Sequence, residues 1–587
     1  MYTMKKSQAQ KNCSHSMDFK QLVADFETTT EDFYNKYGYT RVWAYCICQV
    51  QDAKVIEIGN DIDDFMKFFE KKNTECYFHN IKFDGSFIIY WLLNHNFTYS
   101  EEPKDKTFSC IIDRTGAVYS ITVIFHVMKN KRYSVTFQDS LKKIPLKVKQ
   151  MSKAFGIKEL KGSIDYDLER PEGYELTEDE KKYITNDCVI VAKALKQQFE
   201  KGMKKLTIGA DSLAFFKSEM TPKQFKYYFP VFDLELDNYF RKSYKGGFVY
   251  ANPKYVNHYY KGISYDVNSL YPAILHGECG KLPYGYPKKF RGKYAKDPYY
   301  PLYIQEIVFM GRLKPNHLPC LQLKGFSRFL ETEYLEVIDE PVSLVLTNPD
   351  LELLLESYDI DYIEYNGGYK FKGSTNIFVD FIDYWSTLKI EADKQHNEGL
   401  RTLCKLVLNN LYGKFGTNPC RQSKYPYLED GIVKYGLKEA EFIDPVYVPL
   451  ASFVTAYGRK QTIESANACY DRFLYADTDS IHLIDDGTVP NIKIDSRKLG
   501  YWKNEGKFYG KFLHAKTYIK RKEDGKGGWK MSITCASMNE SIKNYIISQP
   551  QCEAFRLFSV GSKFEGNLKQ RTVKGGVVLF RNPFEIR

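Results

Sequence analysis

The sequence predicts an α/β protein of several domains, and three observations carry that expectation. At 587 residues the chain is too long for one hydrophobic core. Short apolar runs repeatedly end in an acidic residue and give way to a turn or helical pattern, as at residues 22–25, 77–84, 262–266 and 473–477. The stretch 401–414 has helical periodicity, with polar and apolar residues on separate faces.

In chain order, Leu22-Val23-Ala24 reads as a strand entering Asp25-Phe26-Glu27-Thr28, and strand alternation puts both acids on one face. Tyr77-Phe78-His79 leads into Asn80-Ile81-Lys82-Phe83-Asp84, which adds a further acid. Thr177 to Glu180 reads as a capping box, starting a helix on which Tyr183 and Asp187, four apart, are neighbours. The strand Gly262-Ile263-Ser264-Tyr265 ends at Asp266 and breaks into Val267-Asn268-Ser269-Leu270-Tyr271-Pro272, a turn into a helix whose free N–H groups suit a phosphate. Tyr271 offers an aromatic floor for a sugar. On the next helix Arg401, Lys405, Asn409 and Tyr412 share one face, which suits a triphosphate and a base. Leu403, Val407 and Leu411 share another, and Gly413 is the expected stop.

Phe473-Leu474-Tyr475 and Ile481-His482-Leu483 read as a hairpin with Asp477 and Asp479 at its turn. Two carboxylates held that close repel unless a cation lies between them, and Mg²⁺ takes hard oxygen ligands and substrate phosphates. An acidic turn alone is commonplace, and so is a strand-end aspartate capping a helix. Together with Asp266, the paired acids make a two-metal phosphoryl-transfer site the better reading.

Asp266-x-x-Ser269-Leu270-Tyr271-Pro272, Lys405-x-x-x-Asn409-x-x-Tyr412-Gly413 and Tyr475-x-Asp477-Thr478-Asp479-Ser480 resemble, in order, the three polymerase motifs of family B DNA polymerases. The sets around Asp25 and Glu27, Asn80 to Asp84, and Tyr183 to Asp187 resemble the three motifs of DnaQ-like 3′–5′ proofreading exonucleases. Tyr244-Lys245-Gly246-Gly247, Thr455-Ala456-Tyr457-Gly458-Arg459, Lys516-Thr517-Tyr518 and Asn348-Pro349-Asp350-Leu351-Glu352-Leu353 narrow the likeness to protein-primed polymerases of the phage phi-29 type. So do the runs 139–143 and 160–166. The likeness extends from about residue 20 to 587.

The resemblance implies an RNase H-like 3′–5′ exonuclease domain followed by a right-hand palm, fingers and thumb polymerase with two insertions. It implies an exonuclease domain over 1–206, palm over 207–277 and 448–545, fingers over 377–416 and a thumb over 546–587. The insertion 278–376, with turn-rich clusters such as Leu282-Pro283-Tyr284-Gly285, would contact a priming terminal protein. The insertion 417–447 would be a small β-rich element that encircles DNA and favours strand displacement. Asp266 and Asp479 would bridge two Mg²⁺ ions, with the Val267 carbonyl a further ligand, Asp477 close by, and Mn²⁺ an alternative metal. Lys389, Arg401 and Lys405 would hold the triphosphate; Tyr271, Asn409 and Tyr412 would shape the nucleotide pocket. Asp25, Glu27, Asp84 and Asp187 would hold two further ions, and Tyr183 would orient the attacking water. Thr28, His79, Asn80, Phe83 and Phe87 would grip the unpaired 3′ end, although a lone histidine such as His79 is as readily a core residue. Tyr244, Gly246 and Gly247 would contact template; Thr455, Arg459, Lys516 and Tyr518 would contact primer. Departures from the pattern are Asn410 where serine is usual, Arg401 where lysine is usual, extra residues between Lys389 and Arg401, and a short segment at 521–529.

Composition agrees. Lys and Arg exceed Asp and Glu by 11, and many acids are drawn into the sites, so the remaining surface is more basic still, as a phosphate-backbone binder requires. Aromatic residues make up 16% of the chain, with 47 Tyr, which suits base stacking and sugar contacts. The 13 cysteines include no Cys-x-x-Cys pair, and Cys46-x-Cys48 reads as buried filler, so neither zinc nor a disulfide framework is expected and a reducing cytoplasm is the natural setting, the host's if the chain is phage-encoded. The longest apolar run, 87–93, is too short to cross a bilayer, and residues 1–10 lack the apolar core of a signal peptide. The expected partners are template and primer DNA, deoxynucleotides and a terminal protein, with the chain a monomer or paired with that protein. A nucleic-acid-primed family B polymerase dependent on accessory factors is the alternative. An exonuclease with a degenerate polymerase half and a non-catalytic single-strand binder account for less of the motif set.

Overall fold

The computed structural model describes residues 20–129, 131–166, 168–323, 333–523 and 528–587. Residues 1–10, and the middle of the short segment 521–529, lie outside the described residues.

The N-terminal domain is built on an eight-stranded sheet. Lys20–Thr28 lies near its middle, antiparallel to Val42–Gln49 and parallel to Asn73–Phe78, which is parallel in turn to Lys131–Asp139. Val55–Gly59 extends one side; Val118–Met128, Thr107–Ile112 and Thr98–Tyr99 extend the other. The central strand is apolar on both faces because both are covered. Val23 packs with Ile184 and Cys188 of the helix Glu178–Glu200, whereas Leu22, Ala24 and Phe26 join Phe65 and Ile88 on the opposite side. Asp25 and Glu27 share the Val23 face and so point to the side where that helix brings Asp187. The Thr177–Glu180 capping box is formed as expected.

The second large sheet is antiparallel, in the order Trp529–Cys535, Thr517–Glu523, Trp502–His514, Tyr259–Val267, Ser480–Ile484, Phe473–Asp477, Val249–Ala251. The helix Val448–Asn467 backs it, and a hairpin of two helices, Val379–Lys394 and Glu398–Phe415, rises beside it. Leu403, Val407 and Leu411 are buried, as their spacing requires. The helix does not stop at Gly413. It runs on to Phe415 because that side chain continues the buried face, and it ends at Gly416, where a Cβ would lie 2.7 Å from the Tyr244 ring.

The first insertion folds as a four-stranded antiparallel sheet, Leu282–Phe290, Tyr358–Ser374, Leu302–Leu313, Val337–Thr347, with the helix Asn348–Ser357 packed on it. The Leu282-Pro283-Tyr284-Gly285 cluster, expected as turns, opens a strand instead. Residues 285–287, with Gly285 at φ +74°, interrupt the pairing, which jumps from Tyr284 to Lys288. The second insertion is the hairpin Cys420–Glu429 and Ile432–Phe442. It docks on the N-terminal domain, where Val433 joins the core and Lys438 pairs with Glu101.

The boundary expected at 545/546 falls inside the helix Glu540–Ser548. That helix packs with Gln551–Leu557 and the hairpin Lys563–Val573 and Gly576–Glu585, so the C-terminal unit begins near Asn539. Its hairpin also reaches the N-terminal domain, with Val577 in the core there and the Arg581 N–H donating to Glu31 at 2.9 Å. The two outer hairpins also touch each other, so each of them contacts both the other and the N-terminal domain.

Among the described residues no flexible linker separates the two halves. One apolar cluster runs from Val23 to Trp502, the buried pair Lys143–Asp211 (3.1 Å) ties them, and the Thr402 hydroxyl donates to the Ala154 carbonyl at 2.8 Å.

Candidate active sites

The acids of the polymerase-type site meet where two neighbouring strands end. Asp266 is paired in register with Ser480, one residue beyond the Asp477–Asp479 turn, and the Val267 N–H donates to the Asp479 carbonyl at 2.7 Å. Thr478, at the apex, is left-handed (φ +59°), a strained conformation for a β-branched residue. It is held by its N–H to the Phe248 carbonyl at 2.7 Å and by the Thr462 hydroxyl on its own carbonyl at 2.8 Å. Gly247 packs so closely against Thr478 that a Cβ there would lie 2.7 Å away, so the Tyr244–Gly247 segment supports the acidic turn from behind.

Electrostatics in this cleft favour a bound cation. Burial, then Asp479 and Glu505, push Asp266 up to about 6, and burial with Asp477 raises Asp479. Lys516 is ion-paired with Asp477. Lys520 is pushed down to about 8 by burial and by Lys522. Among the described residues no three acid, His or Cys side chains already close into a metal cage. The donor set nonetheless fits one: hard oxygens, mutually repelling, with lysines standing on or near them.

Above the acids the ring centroids of Tyr271 and Tyr412 lie 4.2 Å apart. Arg401, Lys405 and Asn409 are exposed along the same helix face. Lys389, from the facing helix, is lowered by burial and by Arg401 and Lys405, so the three cations converge. Arg401 is paired with Asp393 at 2.9 Å. The residues 395–397 form a short connection between the helices.

In the N-terminal domain Asp25, Glu27, Asp84 and Asp187 also converge. Burial and then Asp187 push Asp25 up to about 7; burial and then Asp25 raise both Glu27 and Asp84; burial raises Asp187. Lys161 is ion-paired with Asp187, whose Oδ1 is buried and without a hydrogen-bond partner, an orphan that a cation would satisfy. The Tyr183 hydroxyl is 2.6 Å from that of Tyr166, and burial and Glu27 raise its pKa, keeping it protonated. Asn80 is left-handed, its N–H donating to Asp139 at 3.0 Å, which turns the chain into the helix carrying Asp84. Thr28, Asn80 and Phe83 retain exposure around this cleft.

Four expected contact residues are placed otherwise. Phe87 is buried against Phe83 and the Gly576 backbone, so no base can reach its ring. His79 has both nitrogens engaged, 3.0 Å from the Ser140 hydroxyl and 2.8 Å from the Leu146 carbonyl. Thr455 is buried and donates to the Ala451 carbonyl of its own helix. Arg459 is buried against Asp350 and donates to the carbonyls of Lys245 and Gly246, so it braces the Tyr244–Gly247 segment from within. Tyr518 lies half-buried beside Tyr475 and Phe512. Sequence reasoning assigned no role to Lys161, Tyr166, Asp139 or Lys520. Period-two spacing on the Thr517–Glu523 strand, which sets Tyr518, Lys520 and Lys522 on one face, could have found Lys520. Asp139, Lys161 and Tyr166 lie within the runs 139–143 and 160–166 that carried the family likeness, but the spacing there assigned none of them a partner.

Comparison with known proteins agrees. The family model of DNA polymerase type B, organellar and viral, matches residues 65–171 and 167–493. The DNA polymerase of Bacillus phage Nf is 42% identical, covering 97% of this chain and 100% of that protein; those of Bacillus phage phi29 and Streptococcus phage Cp-1 are 41% and 31% identical, over 97% and 96% of this chain and 100% and 98% of theirs. The solved structure of phi29 DNA polymerase with primer-template DNA superimposes with a TM-score of 0.89 at 40% identity, covering 97% of this chain and 100% of the other. The ternary complex with primer-template DNA and incoming nucleotides gives 0.88. The chain therefore belongs to the type-B DNA polymerases of organelles and viruses, as one of the phi29-type phage enzymes.

Proposed function

We propose that this DNA polymerase copies a viral or mobile-element genome in the host cytoplasm, starting from a terminal protein, displacing the strand ahead and proofreading with its N-terminal domain. The observation that carries the synthetic reading is the Val267–Asp479 hydrogen bond, which sets Asp266 and Asp479 side by side beneath Tyr271 and Tyr412. Two Mg²⁺ ions held there by Asp266, Asp479 and the Val267 carbonyl would lower the pKa of the attacking hydroxyl and neutralise the leaving pyrophosphate. Lys389, Lys405 and Arg401 grip the triphosphate, Arg401 exchanging Asp393 for phosphate oxygens. Tyr271 and Tyr412 form the floor on which the sugar rests. Primer-template DNA and incoming nucleotides, present with the related phi29 enzyme, are the corresponding substrates here.

In the N-terminal domain the four acids suit two further ions, Tyr183 positions the attacking water, and Lys161 neutralises Asp187. Pocket binding discriminates poorly between similar nucleotides, so a separate editing site on the same chain is physically sensible. The mutual contact of the two outer hairpins, both also seated on the N-terminal domain, supports retention on DNA and strand displacement. The first insertion, standing beside the polymerase sheet, is the surface assigned to the terminal protein, whose hydroxyl accepts the first nucleotide at the same acids.

Extension of a primed single-stranded circle without accessory proteins tests this reading. Products many times the circle's length are expected. Products ending near one circuit would point to a polymerase dependent on accessory factors, and initiation that no terminal protein supports would remove protein priming.

A further inference from the structure

We propose that the first insertion carries a second binding site for single-stranded nucleic acid, in an open cleft of about 680 Å³ between the strands Leu282–Phe290 and Tyr358–Ser374 and the loop before Leu302. None of its lining side chains belongs to either acidic centre. Three of them are the cations Lys281, Lys288 and Lys372, and three are the rings of Tyr284, Tyr299 and Tyr300.

Charge comes first. From residue 281 to 296 the chain carries Lys281, Lys288, Lys289, Arg291, Lys293 and Lys296 and no acid. Strand register brings Lys372 opposite Tyr284 and Lys370 opposite Lys288. Among the described residues Lys281, Lys288 and Lys372 have no carboxylate partner, since the one lining acid, Asp297, is taken by Lys370 at 2.7 Å. Two of them lie over aromatic rings instead, Lys288 4.7 Å from the Tyr300 centroid and Lys372 6.0 Å from that of Tyr227. Unneutralised cations gathered in one concavity make an anion site.

The rings decide which anion. Tyr299 is 81% exposed, at the mouth of the cleft, and Tyr284 presents an edge beside Tyr227 and Tyr228. An acidic protein surface would need the lysines but not an exposed ring. Alternating cations and accessible rings match a strand of phosphates and bases, which stack on aromatic side chains whatever their sequence. The cleft therefore takes a single strand without sequence preference, and a strand held there stays tethered to the enzyme outside both centres.

The test uses the full chain carrying Asp25→Ala and Asp84→Ala, so that DNA is not degraded, preloaded with a saturating hairpin primer-template. A fluorescent oligothymidylate is then titrated against it. The expected result is a further, weaker binding class. The triple substitution Lys281→Glu, Lys288→Glu, Lys372→Glu weakens that class at least tenfold and lowers its salt slope by about two, at roughly 0.7 per phosphate contact on a single strand. Hairpin binding and the unfolding temperature stay unchanged. Tyr299→Ala, at an exposed position that folding does not need, weakens the same class about tenfold. Equal oligothymidylate affinity and salt slope in parent and triple variant would overturn the proposal. So would displacement of the oligonucleotide by polyglutamate as readily as by unlabelled oligothymidylate, which would make the cleft a surface for an acidic protein.

Discussion

Arg459 and Asp350 form a buried, bidentate ion pair, with Nη2 2.7 Å from Oδ2 and Nε 3.1 Å from Oδ1. It joins the helix Val448–Asn467 to the helix Asn348–Ser357 of the first insertion, while the remaining guanidinium nitrogen donates to the Lys245 and Gly246 carbonyls. One side chain thus ties the insertion, the second large sheet and the glycine turn behind the Asp477–Asp479 hairpin. Asp350→Ala leaves a buried cation unpaired and is expected to cost about 3–5 kcal/mol. Denaturant unfolding measures it, and an unchanged midpoint would refute the bracing role.

The two acidic centres are separable. Asp25→Ala with Asp84→Ala is expected to lower 3′ degradation by at least about a hundredfold while primer extension persists. Asp479→Ala is expected to do the reverse. Gel assays of both activities on one labelled primer decide it; degradation surviving the first pair would refute the exonuclease assignment.

Lys405 lies on the exposed helix face with no carboxylate at hydrogen-bond distance among the described residues. Removing one charge-assisted phosphate contact is expected to raise KM for nucleotides about tenfold in Lys405→Ala. Steady-state kinetics on a short template measures it, and an unaltered KM would move the triphosphate elsewhere.

His79 gives a pH dependence with a definite sign. Burial pushes its folded-state value down to about 4, against 6.5 when exposed. Its contribution is therefore complete above pH 6.5 and is lost as pH falls towards 4, amounting to roughly 3 kcal/mol. His79→Gln is expected to flatten the stability curve across that window, read by thermal unfolding between pH 4 and 7.

Phe87 separates packing from recognition. Phe87→Ala is expected to destabilise the chain by about 3–5 kcal/mol, because the ring fills the contact with Gly576 and the C-terminal hairpin. Phe83→Ala, at a partly exposed ring, is expected to spare stability and weaken single-strand binding about tenfold instead. Unfolding and exonuclease assays on both variants discriminate these outcomes.

What the sequence by itself determined is local. Alternation set Asp25 and Glu27 on one strand face, four-residue spacing set Arg401, Lys405 and Asn409 on one helix face, and a capping box started the helix of Tyr183 and Asp187, because backbone geometry converts short-range spacing directly into direction. The ordered motifs carried the polymerase reading for the same reason. The tertiary structure alone decided partnership. Lys161 reaches Asp187 across 26 residues and Arg459 reaches Asp350 across 109, and no local pattern encodes either meeting. It also decided which polar and aromatic side chains are left for DNA. His79, Thr455 and Arg459 carry the right chemistry for contact, yet each is engaged inside the protein, since a buried polar group must find its partner there, and the Phe87 ring is taken up by apolar packing.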